Sequence, residues 1–224
     1  MTFPKIENAM LNIGSSTGQL VQFNNANKLP ALDGSQLTNV PANLATNGMV
    51  LLATQTVTSP IAQVDFVSGI DSNYKEYMLR GSDISLSSSD SLSMRLRLRG
   101  TFQTVNGYTY GGYAFGNAIG GSAFTNAGND SFVVIPGADP LNGANANGGF
   151  ILNITNPAGT SRIKALHLTG GGVGGNGSNH GFGFHNGGAW NNGGTDYAPI
   201  DGIRFITPGG TNIASGTFKL YGIQ

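Results

Sequence analysis

From Met49 onward, apolar and polar residues repeatedly alternate with a period of two, the spacing that gives a strand one buried and one wetted face. The clearest run is Leu92 to Arg99. Leu92, Met94, Leu96 and Leu98 share one side, and Ser93, Arg95, Arg97 and Arg99 share the other. Comparable runs cover Val50 to Val57, Ile61 to Val67, Tyr74 to Arg80, Tyr108 to Phe115, Ser131 to Ile135, Gly149 to Thr155, Arg162 to Thr169, Gly202 to Thr207 and Gly216 to Gly222. Turn-forming Gly, Asn, Asp, Pro and Ser separate them, and no apolar stripe at helical spacing interrupts the series. The pattern predicts an all-β fold, an antiparallel β-sandwich of jelly-roll-like type over residues 48–224.

Residues 1–47 follow another rule. Their hydrophobics are thinly spread (Met10, Leu11, Ile13, Leu20, Val21, Phe23, Leu29, Leu32, Leu37, Val40) and turn signals break them up. One copy cannot bury these side chains, whereas three copies wound together can. The segment is expected to be an extended arm or short shaft, with the protein a homotrimer.

A third pattern lies between Thr169 and Thr195, where 12 glycines and five asparagines occupy 27 residues. Such a segment is a poor helix and brings little apolar area of its own. It is expected to be an insert exposed on the β scaffold, or packed backbone-to-backbone against a neighbouring subunit. It also holds the only tryptophan, Trp190, and two of the three histidines, His180 and His185.

Charge changes the picture by being scarce. The chain carries 11 basic and 11 acidic residues in 224, so no basic field is present to hold nucleic acid. With no cysteine there are no disulfides or thiolate sites. The start, MTFPKIENAMLNIG, has no apolar run behind positive charge, so no secretory signal is expected, and no stretch approaches the ~20 apolar residues of a membrane helix.

The carboxylates sit mostly in turn contexts such as Asp33-Gly34, Asp90-Ser91 and Asp201-Gly202, where they bond nearby backbone. A glycosidase needs two of them on facing elements, and nothing singles out a pair, Asp196 and Asp201 included. No nucleophile elbow, zinc-protease motif or phosphate-binding loop is present. The expectation is no enzyme and no cofactor. His180 and His185 make at most half a metal site in one chain, so no metal is expected either. His167, flanked by Ala165, Leu166 and Leu168, reads as an ordinary sheet residue. Arg95, Arg97 and Arg99 read as a solvated face or as partners of neighbouring carboxylates such as Glu76, in preference to a site for an anionic glycan.

The strongest functional lead is the clustering of aromatics with glycine and asparagine. Aromatic faces stack on sugar C–H surfaces, and Asn amides offer the paired donor and acceptor that vicinal hydroxyls need. Candidate receptor- or glycan-binding residues are Phe182, His185, Trp190, Asn191 and Asn192, with Tyr110 and Tyr113 from NGYTYGGYAFG. Trp190, within Gly-Gly-Ala-Trp-Asn-Asn-Gly-Gly, is expected to be exposed. The alternative for Tyr108, Tyr110 and Phe115 is core or cross-strand packing.

Two stretches carry a family resemblance. Asn27 to Pro41, NKLPALDGSQLTNVP, resembles a short repeat of trimeric bacteriophage tail fibres. IDSNYKEYMLRGSDIS, IDGIRFI and NIASGTFKLYGI resemble a β domain of phage virion and tail-fibre proteins. The resemblance implies a homotrimer made in the host cytoplasm and carried on the virion. Its N-terminal arm would dock on tail or baseplate proteins, and its distal β domain would bind a host-surface glycan or lipopolysaccharide, with no membrane insertion. A structural virion subunit, on capsid or baseplate, and a polysaccharide depolymerase are the other readings.

Overall fold

The structure, a computed structural model, describes residues 48–116, 120–129, 131–135, 141, 146–174, 180–190 and 196–224. Residues 1–47, to which the arm and shaft were assigned, lie outside the described residues, as do Asn191 and Asn192.

Thirteen strands are described: β1 Met49–Val57, β2 Gln63–Phe66, β3 Glu76–Leu86, β4 Leu92–Leu98, β5 Thr101–Phe102, β6 Tyr108–Gly116, β7 Gly120–Asn129, β8 Phe132–Ile135, β9 Asn147–Thr155, β10 Lys164–Gly174, β11 His180–Trp190, β12 Ile200–Ile206 and β13 Ile213–Ile223. All the pairings between them are antiparallel. Eight strands form one sheet in the order β1-β13-β3-β9-β10-β11-β6-β7. The other sheet runs β2-β12-β4-β5, with β8 also on β4. Each of the ten alternating runs in the sequence falls on one of these strands.

The two sheets share one apolar core. Phe205 of β12 meets Phe150 of β9 and Phe218 of β13, with ring centroids 5.3 and 5.1 Å apart. Tyr110 of β6 meets Phe132 of β8 at 5.3 Å. The hydroxyl of Tyr108 crosses between the sheets to accept the Leu96 N–H at 2.6 Å. Burying each large apolar side chain contributes about 1.5–3 kcal/mol, and the even-numbered residues of β4 supply four of them.

The segment from Thr169 to Trp190 departs from expectation. It is not an insert hung on the scaffold. Gly170 to Gly174 extend β10, His180 to Trp190 form β11, and the two strands pair residue for residue from Lys164↔Trp190 to Gly174↔His180. Glycine serves close approach here: a Cβ on Gly112 would stand 2.2 Å from the His185 carbonyl oxygen, and one on Gly170 would stand 2.4 Å from the Phe184 ring. Large residues on one strand lie over glycines on the next.

Registers set what lies side by side on the outer face of the large sheet, the face turned away from the core. One row runs Tyr113, His185, Thr169, Ile151, Arg80, Lys219 across β6, β11, β10, β9, β3 and β13. Four residues further along the strands, Met49 of β1 lies opposite Ile223 of β13.

Candidate functional site on the outer face of the large sheet

Strand parity decides which predicted site residues reach solvent. On β11, Phe184, Asn186 and Trp190 point inward and are buried, while His185 points outward and is exposed. Trp190 is 0% exposed, and its indole packs against Tyr108 with centroids 4.7 Å apart and against Gly107. The expectation that Trp190 is exposed for contact with a ligand is therefore overturned: it is a core residue. Tyr110 is also core, 8% exposed and turned toward Phe132. Phe182 is half-buried on the inward side, stacked with Phe184 at 6.2 Å.

Of the candidates among the described residues, Tyr113 and His185 alone are brought together in the open. They are direct partners across β6 and β11, and Tyr113 is 49% exposed. The structure adds two residues to them. Phe115, read above as possible packing, is 53% exposed and covers Gly183 on the same face. His167 is a sheet residue of β10, as expected, and stands exposed, its ring edge-to-face with His185 at 4.9 Å. His180 has the opposite parity to His185 on β11, so these two histidines do not converge. Among the described residues no group of three or more His, Asp or Glu is placed to hold a metal.

Beside this aromatic and imidazole patch lies a groove of about 440 Å³, lined by Arg80, Ser82, Asp83, Asn147, Ile151 and Thr169 over a floor that includes Gly149 and Gly170. A β-bulge makes it. Between Gly81 and Ile84, β3 carries one residue more than β9, and Asp83 takes a left-handed φ of 55°. The Asn147 side-chain amide donates to Asp83 Oδ1 at 3.1 Å, tying β9 to the bulge. Thr169 belongs both to the groove and to the row that holds His185 and Tyr113. Patch and groove are one surface, about 19 Å wide from Arg80 to Tyr113 at the usual strand spacing. It offers aromatic faces at one end, and hydroxyl, amide, carboxylate and guanidinium groups at the other. Sequence reasoning missed the groove because its residues come from three strands, and because a bulge leaves no mark in the alternation.

The other face carries its charges already matched. Arg204 forks onto Asp65 at 2.8 and 2.7 Å and lies 3.9 Å over the Phe102 ring. Arg97 reaches Asp201 at 3.6 Å, and both guanidinium nitrogens of Arg99 reach Asp196 at 3.1 Å. Arg97 and Arg99 thus pair with carboxylates, as expected, though the carboxylates are Asp201 and Asp196, not Glu76. Hydrogen bonding by Arg99, with that of the Ala198 N–H, holds the Asp196 carboxyl below its usual range against the effect of burial. This is the reverse of the raised pKa of a glycosidase acid. A second cavity, of about 340 Å³, lies against Arg99, Tyr197 and Pro199, and its cation is committed to Asp196.

No protein-family model matches the chain, and neither a curated protein nor a solved structure is significantly similar to it.

Proposed function

We propose that this chain is a bacteriophage tail-fibre protein that binds a glycan of the host surface through the outer face of its eight-stranded sheet. The observation that carries the reading is the juxtaposition of an exposed aromatic patch, Tyr113, Phe115, His167 and His185, with the polar groove at Arg80, Asp83, Asn147 and Thr169. Sugars are recognised by that pairing of flat apolar surface with fixed hydrogen-bonding groups. The likeness of Asn27 to Pro41 to a fibre-shaft repeat supplies the phage setting. In this reading residues 1–47 attach the protein to tail or baseplate and gather three copies, so that weak single sites act together with high avidity. The protein binds without cleaving, and acts on the virion.

The test is adsorption of particles carrying Tyr113→Ala or His185→Ala. Assembled particles that adsorb poorly support the reading, and normal adsorption by both variants removes the face from recognition. A second reading is favoured by the exposed apolar side chains on this face, Tyr113, Phe115 and Ile151: that the face packs between virion subunits. Its outcome is different, because the same substitutions would then block particle assembly.

A further inference from the structure

We infer that the groove at the β3 bulge takes an acidic sugar, one bearing a carboxylate or phosphate, with Arg80 and Lys219 as its oxyanion contacts. The inference rests on the glycan-binding reading of this face and names the class of ligand.

Arg80 and Lys219 are direct partners across β3 and β13 on the outer face. Like charges placed opposite one another on a sheet repel. Neither makes an ion pair or hydrogen bond with any described residue, and Arg80 is exposed. The contrast with the small sheet is what gives this weight. There Arg97, Arg99 and Arg204 each hold an aspartate. In a chain of zero net charge with only 11 basic residues, a cation unmatched among the described residues at the wall of a groove, with a second directly beside it on the next strand, is not a general surface property.

The geometry suits one anionic substituent on a larger neutral molecule. A guanidinium presents a planar fork to a carboxylate or phosphate. Ser82, Thr169 and Asn147 line the same groove and offer hydroxyl and amide groups to the ring that bears the anion. Asp83, on the bulge and bonded to Asn147, accepts hydrogen bonds from sugar hydroxyls and excludes an anion from that end. The oxyanion therefore sits toward Lys219, and the sugar chain runs along the row toward Thr169, His185 and Tyr113.

The full chain is titrated with glucose 6-phosphate, glucuronate, glucose and inorganic phosphate, followed by saturation-transfer NMR. The expected result is that one or both acid sugars bind about tenfold or more tightly than glucose, and that added salt weakens the acid sugars alone. Binding of both acids, of the phosphate alone or of the carboxylate alone each supports the inference and says which oxyanion the groove accepts. Arg80→Gln and Lys219→Gln should each cut acid-sugar binding severalfold, with Arg97→Gln on the other sheet as an unaffected control. Both variants should melt no lower than the parent, since each removes the repulsion between Arg80 and Lys219. Equal binding of glucose, no binding of either acid sugar, or an unaffected Arg80→Gln overturns it. Inorganic phosphate binding as tightly as glucose 6-phosphate also overturns it, as an anion site without sugar recognition. If the acid sugars fail while Tyr113→Ala still abolishes adsorption, the oxyanion inference falls and the receptor reading stands.

Discussion

The indole of Trp190 and the phenol of Tyr108 meet at 4.7 Å, tilted 58° to one another, with no solvent reaching either ring. They are direct partners across β11 and β6, and Tyr108 carries the contact on to β4 through its bond from Leu96 N–H. The sole tryptophan thus backs the residue that rivets the two sheets, Tyr108.

Its emission should be blue-shifted relative to free indole and resist quenching by iodide until the protein unfolds. Trp190→Ala should cost about 3–5 kcal/mol, read by chemical denaturation. Trp190→Phe should cost less, because the indole N–H has no partner among the described residues and its removal leaves nothing unpaired. Quenching of the native protein as strong as that of the free amino acid would contradict the buried position.

Glycines in the large sheet should divide into two kinds. Gly112→Ala places a methyl group against the His185 carbonyl and should destabilise by about 1–3 kcal/mol. Gly181→Ala meets nothing within 4 Å and should be neutral or slightly stabilising, since alanine restricts the unfolded chain. Paired melting curves decide it, and equal effects would argue against the close approach of β6 and β11.

The Arg99–Asp196 pair sets an acid limb. The folded pKa of Asp196 lies below its ordinary value of 3.8. Its contribution is therefore complete above that value and disappears as pH falls through the lower folded one. Asp196→Asn should lower stability near neutral pH by about 1 kcal/mol, Arg99 being largely exposed, and should flatten the decline below pH 3.8. Stability measured against pH for both proteins checks this, and parallel acid limbs would contradict it.

Tyr113→Ala and His185→Ala should leave the fold within about 0.5 kcal/mol of the parent, because both side chains stand on the wetted face. Their effect on adsorption then reads recognition alone. Trp190→Ala would be a poor probe of recognition, since any loss of adsorption would follow from loss of the core.

How much of this was legible depends on side-chain contrast. Where leucine alternates with arginine, as in β4, both strand and facing are plain from the letters. The two long strands that were not read are β11, where glycine takes up positions that would have carried the alternation, and β7, where small and polar residues (Ser122, Ala123, Thr125, Asn126, Ala127) leave Phe124 as its one large apolar side chain. A trace does survive in β11: Phe182, Phe184 and Trp190 share one parity and His185 the other. That parity alone separates core from surface. The same test separates Tyr110 from Tyr113, three residues apart on β6 and so on opposite faces. The groove was beyond such reading, because Arg80, Asn147 and Thr169 become neighbours only through the registers of β3, β9 and β10.

Met49 lies opposite Ile223, so β1 begins at the same margin of the sheet at which β13 ends. A reporter or affinity handle placed directly after β13 would emerge at that margin, about 13 Å along the strands from the Arg80–Tyr113 row. Such a fusion should be tolerated without masking the binding face, and in an electron micrograph it would mark the place where residue 49 joins the sheet, not the opposite, glycine-rich rim.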